Sequence, residues 1–208
     1  KGLAEEFGAA RVVDTPIAEA TIMGAGLGAA LVGTRPVIEM RIADFVMPAM
    51  DELVNQIAKI RYMFGGQGRA SLVVRMPHGM LPGSAAQHSQ TIENWFVNTL
   101  GLVVLTPATA ADHAGLMKSA VRCDDPVLLF EPKAFIRQSE EVPDVFEPVA
   151  IGKAALRRSG DALTIVTWSQ ALRPVLAAAD AVAAEGIQAD VLDLRSLWPW
   201  DQDAVAAS

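Results

Sequence analysis

The chain has 208 residues, enough to bury a substantial core in one domain or two small ones. A formal net charge of -7 with no basic cluster argues against nucleic acid or an anionic membrane as partner, and the single cysteine, Cys123, excludes an internal disulfide framework and fits a reducing, cytoplasmic setting. The uncharged run Ala20 to Thr34 is too short and too glycine-rich to span a bilayer, and no cationic leader with an apolar core opens the chain.

Residues 14–36, "DTPIAEATIMGAGLGAALVGTRP", read as the first long helix. Thr15 suits the N-cap, Pro16 the first helical position and Gly33 the end, which gives about five turns at 3.6 residues each. The apolar residues Ile17, Ile22, Met23, Leu27, Leu31 and Val32 spread over several faces, so the pattern predicts a helix buried all round. Glu19 is its only charge. A glutamate in a first turn gains a few tenths to about 1 kcal/mol from the helix dipole. The sharper reading is that a carboxylate inside a buried helix is a working acid or a paired one. The glycines of "GAGLGA", residues 24–29, superficially match a dinucleotide fingerprint, but they fall inside a helix with no strand before them and read as close-packing positions.

Apolar runs suited to buried strands follow at 35–42, 70–76, 100–107, 125–132, 162–168 and 188–194. Between them lie helical patterns at 48–66, opened by Pro48 and stopped by Gly65-Gly66, at 109–122, and at 171–186 with Pro174 in the first turn. Continuous apolar runs separated by helices predict an α/β protein whose parallel sheet is covered on both faces. Around "RQSEEVPDVFEPVAIGK" acids and prolines replace the apolar periodicity. The boundary drawn there gives a first unit over 1–138, a linker over 139–152, and the start of a second α/β unit over 153–208. The chain opens on Lys1, and "DQDAVAAS" at its end reads as the beginning of a helix, so the sequence is expected to be a piece cut at both ends.

Two further positions carry candidate chemistry. Phe45 sits where a strand gives way to a helix, the place where ligands collect in parallel sheets, and is either a stacking platform or a core residue. Of the three histidines, His78 and His88 flank the Pro/Gly-rich segment "MPHGMLPGSAAQHSQ" and His113 lies in a helix. No pair has the one-turn spacing of a helical zinc site, which argues against histidine-bound metal catalysis. His88, among Gln87, Ser89 and Gln90, is a candidate proton-transfer group, against the plainer reading of a hydrogen-bonded loop histidine.

Four segments, "DTPIAEATIMGAGLGAALVGTRPVIEM", "ADFVMPAMDELVNQIAKIRYMFGGQ", "AAQHSQTIENWF" and "GLMKSAVRCDDPVLLFEP", closely resemble, in order and spacing, the beta subunit of the thiamine-diphosphate-dependent 2-oxo acid dehydrogenases of the pyruvate dehydrogenase type. The resemblance covers nearly the whole chain and implies a transketolase-like pyrimidine-binding unit followed by the start of a transketolase-like C-terminal domain. Family members carry a further strand and helix before the position of Lys1 and the rest of that C-terminal domain after Ser208. By the resemblance, Glu19 contacts a ring nitrogen of the cofactor's aminopyrimidine. A carboxyl group there favours the tautomer whose exocyclic nitrogen takes the proton from the thiazolium carbon. Phe45 matches the aromatic that stacks on the pyrimidine, Ile17 lies at a position lining the same pocket, and His88 stands near the lipoyl channel, placed to supply a proton in reductive acylation. A structural potassium ion is implied on the main-chain carbonyls of Leu72, Ala120, Val121, Cys123 and Asp125.

The diphosphate end and its magnesium need a "GDG...N" motif that this sequence lacks, and in the family that half belongs to an alpha subunit in an α2β2 heterotetramer. The implied partners are therefore that alpha subunit and a lipoyl-bearing acyltransferase. The implied reaction is oxidative decarboxylation of a 2-oxo acid with acyl transfer to lipoamide, active only with the alpha chain. The loop at 76–90 is less glycine-rich than in close relatives, so pyruvate, a branched-chain 2-oxo acid and acetoin all stay open. The competing readings are an acetoin-cleaving homologue, a split transketolase-like subunit acting on sugars, and a catalytically idle structural subunit. Retention of Glu19 in an apolar helix speaks against the last, because Ala or Gln would cost less desolvation there.

Overall fold

A computed structural model describes residues 2–208. In chain order it forms α1 (Leu3–Phe7), α2 (Glu19–Leu31), β1 (Val37–Glu39), α3 (Ile60–Met63), β2 (Val73–His78), α4 (Glu93–Val97), β3 (Val103–Leu105), α5 (Ala110–Ala120), β4 (Val127–Pro132), β5 (Ala155–Arg158), β6 (Leu163–Thr167), α6 (Leu172–Ala183), β7 (Ala189–Asp193), β8 (Ser196–Trp198) and α7 (Gln202–Ala207). Short 3₁₀ turns at Ala86–His88, Lys133–Phe135 and Ser169–Ala171 lie between them.

The larger sheet has the order β1-β2-β4-β3-β8. Its first four strands are parallel, with Val73 opposite both Val37 and Val127, and Val103 opposite Val127. Because side chains alternate along a strand, Val74, Met76, Leu128 and Phe130 face one layer, with Met23 and Ala30 of α2 and with Val46, Leu53 and Ile57. Val73, Leu105, Val127 and Leu129 face the other layer, against Leu116 and Ala120 of α5. The expected parallel sheet with helices on both faces is what the chain forms. The smaller sheet, β5-β7-β6, pairs β6 and β7 in parallel and β5 antiparallel, with Leu172 and Ala179 of α6 packed on Ala189 and Val191.

Two strands differ from the sequence reading. β5 and β8 are short and were not expected, and β8 leaves its neighbours in sequence to pair antiparallel with β3 on the larger sheet. The segment "RSLWPWDQD" thus stitches the end of the chain onto the first sheet as well as starting α7. Asp201 caps α7, its Oδ1 accepting from the Ala204 amide at 3.3 Å.

The first long helix also differs. It starts at Glu19, not at Thr15 and Pro16, because the first helical bond runs from the Ile22 amide to the Ala18 carbonyl at 2.9 Å and the residues before Ala18 are irregular. Within this chain it is not buried all round. Only Met23, Gly26 and Ala30 are buried, since the helix meets the sheet along one stripe, whereas Ile17 and Val32 are each 82% exposed. Gly26 is the close-packing glycine: a Cβ there would lie 2.9 Å from Ile38 Cγ1, with Cδ1 nearer still, while Gly24 and Gly28 face open space.

The expected helix at 48–66 is wound differently. A 3₁₀ helix over Ala43–Ala49 contains Pro48 inside it and runs into a wide turn over Asp51–Ile57, where the Ala58 amide reaches the Leu53 carbonyl at 3.0 Å, before α3 completes the segment. His78, expected beside a loop, is the fully buried last residue of β2. No helix is long and apolar enough to cross a membrane among the described residues.

Candidate active site

Parallel strands put their carboxyl ends, and the turns that follow them, on one rim of a sheet. The Ala43–Ala49 turn after β1 and the loop after β2 meet at that rim. Phe45 of the first and His88 of the second stand edge-to-face, ring centroids 5.1 Å apart and planes at 87°. Phe45 is 39% exposed, so it does not simply close the core.

Two buried charged groups that the sequence reading did not single out hold this pair. Asp44 is 4% exposed, and its Oδ1 accepts from the Gln90 amide at 3.2 Å and from Gln90 Nε2 at 2.9 Å, which ties the turn carrying Phe45 to the loop carrying His88. Asp44 Oδ2 is buried without a protein partner. The buried Lys133, just past β4, donates through Nζ to the His88 carbonyl. The only sequence signals were a charge beside Phe45 in an apolar turn and a lysine directly after an apolar strand.

Glu19 is the first residue of α2, half-buried, and it forms no ion pair among the described residues. Helix α2 packs on the Ala43–Ala49 turn, so the element that bears the free carboxylate lies directly against the one that bears Phe45. Ile17 stands two residues before α2 with its side chain open to solvent. Of the four residues, only Phe45 and His88 are in direct contact; Glu19 reaches the same region through the packing of α2 on the turn, and Ile17 stands out into solvent.

Of the carbonyls considered for a potassium ion, Cys123 O accepts from Arg35 Nη1 at 2.7 Å and Val121 O from the same nitrogen at 3.4 Å. Arg35 Nη2 meets Asp124 Oδ1 at 2.5 Å. The Ala120 carbonyl accepts from the Cys123 amide at 3.1 Å and the Leu72 carbonyl from the Val127 amide at 3.0 Å. A guanidinium already supplies positive charge at this corner, so the set does not fit a free cation cage. Burial, the larger effect, together with the nearby acids, pushes the Cys123 thiol up.

On the opposite face of the sheet, Arg75, His113 and Glu131 line a cavity of about 330 Å³ together with Phe135 and Ile136. Arg75 grips Glu131 with two bonds, Nε to Oε1 at 3.0 Å and Nη2 to Oε2 at 2.8 Å, and His113 Nε2 lies 2.7 Å from Oε1. Burial pushes the Glu131 carboxyl up, but its bonds to His113 and Arg75 outweigh that and hold it below the usual carboxylate range. Nothing in the spacing of these three residues brings them together before the fold does.

A third cluster joins the two sheets. His78, fully buried, has Nε2 3.0 Å from Ser169 Oγ and Nδ1 3.4 Å from Glu93 Oε2. Glu93 Oε1 accepts from Trp168 Nε1 at 3.1 Å. Burial raises the Glu93 carboxyl, and the contacts from His78, with smaller help from Trp168, bring it net below its ordinary value.

The fold and this rim define a protein of the transketolase architecture. A solved structure titled "Split gene transketolase, inactive beta4 tetramer" matches the whole chain and 66% of its own, with a TM-score of 0.80 at 24% sequence identity, a likeness of fold. The family described as "Transketolase, pyrimidine binding domain" matches residues 1–138, and "Transketolase, C-terminal domain" matches 152–208. The chain belongs to the transketolase pyrimidine-binding family. It is 44% identical to the 2-oxoisovalerate dehydrogenase subunit beta of Bacillus subtilis, over 98% of this chain and 63% of that protein. It is 41% identical to the pyruvate dehydrogenase E1 component subunit beta of Rickettsia felis and to the acetoin:2,6-dichlorophenolindophenol oxidoreductase subunit beta of Bacillus subtilis, over all of this chain and 64% and 61% of theirs. The chain thus spans a little under two thirds of the length of each of these relatives.

Proposed function

We propose that this chain is the cofactor-activating part of the beta subunit of a thiamine-diphosphate-dependent 2-oxo acid dehydrogenase, working with an alpha subunit in an α2β2 assembly and passing its acyl group to a lipoyl-bearing acyltransferase. Residues 1–138 form the pyrimidine-binding unit, 139–152 the linker, and 153–208 the start of the C-terminal domain. The observation that carries the reading is the unpaired Glu19 carboxylate at the head of α2, packed on the turn whose Phe45 ring stands edge-to-face with His88.

When bound, thiamine diphosphate supplies the electron sink for decarboxylation. Glu19, which forms no ion pair among the described residues, would be the group that shares a proton with the pyrimidine ring nitrogen. Phe45 offers the ring face for stacking, with Ile17 as an aliphatic wall that the alpha subunit covers. His88, its carbonyl held by Lys133 and its ring against Phe45, would be the group that supplies a proton to the acyl acceptor. The diphosphate and its magnesium belong to the alpha chain. A potassium ion enters the corner at 120–125 only where Arg35 leaves the Val121 and Cys123 carbonyls. The exposed apolar residues at the end of α2, Leu31 and Val32, and in α3, Tyr62 and Met63, are the surface that partner subunits cover.

The test is reduction of an artificial electron acceptor by the full-length chain mixed with its alpha partner, comparing pyruvate, a branched-chain 2-oxo acid and acetoin. Turnover that needs both chains and thiamine diphosphate supports the proposal, and the preferred substrate names the reaction. Ketol transfer between sugars with no response to lipoamide refutes it in favour of a split transketolase, and inactivity with every substrate favours a structural subunit.

A further inference from the structure

The loop that carries His88 runs from His78, the last residue of β2, to Glu93, the first residue of α4. Its middle is tied within the first sheet's own layer, by Asp44 to Gln90 and by Lys133 to the His88 carbonyl. Its two ends are tied differently. Three consecutive residues between β6 and α6, more than seventy positions further along the chain, reach back and meet both.

Trp168 donates from Nε1 to Glu93 Oε1 at 3.1 Å, which holds the far end of the loop. Ser169 Oγ lies 3.0 Å from His78 Nε2, which holds the near end, and both side chains are almost wholly buried. Gln170 sets its side-chain amide against Gly79, where a Cβ would run into it and where φ is +83°. The loop ends also touch each other, His78 Nδ1 standing 3.4 Å from Glu93 Oε2 and the Gly79 amide donating to the Gln90 carbonyl at 2.9 Å. Ser169 occupies the left-handed region at φ +53°, which a residue with a side chain adopts only where its surroundings hold it. Four of these residues, Trp168 with Glu93 and Ser169 with His78, form two polar side-chain contacts across more than seventy positions, an arrangement that packing alone does not require.

We propose that Trp168, Ser169 and Gln170 form a clamp by which the C-terminal unit positions the loop bearing His88. Among the described residues none of the three has a hydrogen bond, ion pair or ring contact with Glu19, Phe45 or His88, so they are positioning residues. They set where the imidazole stands when an acyl acceptor arrives, and the C-terminal unit thereby takes part in acyl transfer as well as in assembly. The functional half of this inference rests on the proposed dehydrogenase reading. The structural half does not.

The experiment uses the full-length chain assembled with its alpha partner and two double variants, Trp168→Phe with Ser169→Ala, and Trp168→Phe with Ser169→Gly. Glycine accepts φ +53° without strain, so the second pair removes the hydroxyl while keeping the turn. Amide hydrogen exchange of residues 79–90 is followed, with the β4 amides as the control for global folding. The clamp predicts that exchange of 79–90 speeds up at least about tenfold in both variants while β4 stays protected. It also predicts a fall of about tenfold in the rate of lipoyl acylation, with reduction of an artificial acceptor, which needs no lipoyl proton, held near the parent rate. Unchanged exchange at 79–90 with β4 protected overturns the clamp, and so does faster exchange accompanied by an unaltered lipoyl rate. A parent assembly with no lipoyl activity would instead defeat the dehydrogenase reading, and the exchange result alone would then judge the clamp.

Discussion

Helix α2, which begins with Glu19, lies close on β1, and Gly26 is what permits the approach. A Cβ at Gly26 would stand 2.9 Å from Ile38 Cγ1, against an optimal carbon–carbon separation of about 3.5–4.0 Å, so α2 or Ile38 would have to give by about 0.6 Å or more. Ile38 is buried in the core and β-branched, which limits how far its side chain can rotate away. Substitution of a helical glycine by alanine gains up to about 1 kcal/mol in propensity, while overpacking a core costs about 1–3 kcal/mol. Gly28, in the same helix, faces open space and offers the propensity gain without the clash. The difference between Gly26→Ala and Gly28→Ala therefore isolates the packing cost, about 1–3 kcal/mol, which corresponds to about 2–12 °C in Tm for a chain of this size. Thermal unfolding of the two variants, followed by circular dichroism, reads that difference. Equal Tm values would refute the argument that α2 is seated through Gly26. A shift of the helix by half an ångström or more also displaces Glu19, so cofactor-dependent turnover should fall further in Gly26→Ala than in Gly28→Ala.

Three further outcomes follow from the charged clusters. Arg157 contacts the buried Asp112 and Asp193, with Nη2 2.9 Å from Asp193 Oδ2, so Arg157→Gln should cost about 3 kcal/mol in urea unfolding, near the lower bound for a broken buried pair because Arg195 still reaches Asp112 at 3.0 Å. Asp112, Glu93 and Glu131 are all held below their ordinary values in the folded chain despite burial, by their hydrogen-bonded and cationic partners. The unfolded chain therefore binds these protons at higher pH. Their contribution is complete above the ordinary carboxylate range and is lost, at up to about 1.4 kcal/mol per pH unit for each group, as pH falls toward the lower folded values. Asp193, raised by burial, has the opposite sign and loses its contribution as pH rises through its folded value. Urea midpoints measured from about pH 6 down to about pH 3, a span that brackets the ordinary carboxylate range, should accordingly fall, and fall less steeply in Glu131→Gln; a flat profile would contradict the assignment. Arg35→Ala frees the Val121 and Cys123 carbonyls, so potassium should stabilise that variant by about 1.4 kcal/mol at about ten times its dissociation constant and leave the parent nearly unmoved, as read by Tm in potassium against lithium chloride.

The fold was legible where burial on both faces makes a strand a continuous apolar run. β2, β4, β6 and β7 all fall where such runs predicted them, to within a few residues. β5 and β8 carry no such run, the first because two of its four residues are arginines that pair with acids, the second because three residues at a sheet edge are too few to show a period. Glu19 was legible as a lone charge in an apolar stretch. Its helix start was not, because Thr15-Pro16 has the chemistry of a cap while the first bond forms at Ala18. The exposed face of α2 misled the burial reading in a physically simple way: apolar residues predict that a surface is covered without naming what covers it, and this chain's own sheet covers one stripe. Phe45 and His88 could be named separately, but their contact, and the ties through Asp44 and Lys133, bridge over forty residues and depend on how two loops meet at the rim.

The central claim is that Glu19 activates the cofactor through its pyrimidine. The most direct measurement is exchange of the thiazolium proton of thiamine diphosphate for deuterium, followed by quenched-flow NMR on the full-length chain assembled with its alpha partner, for the parent and Glu19→Gln. General acid–base assistance of this kind contributes about 10²–10⁴-fold, so exchange should slow by at least about a hundredfold in the variant while the cofactor stays bound. Exchange at the parent rate in a cofactor-loaded Glu19→Gln assembly would contradict the account.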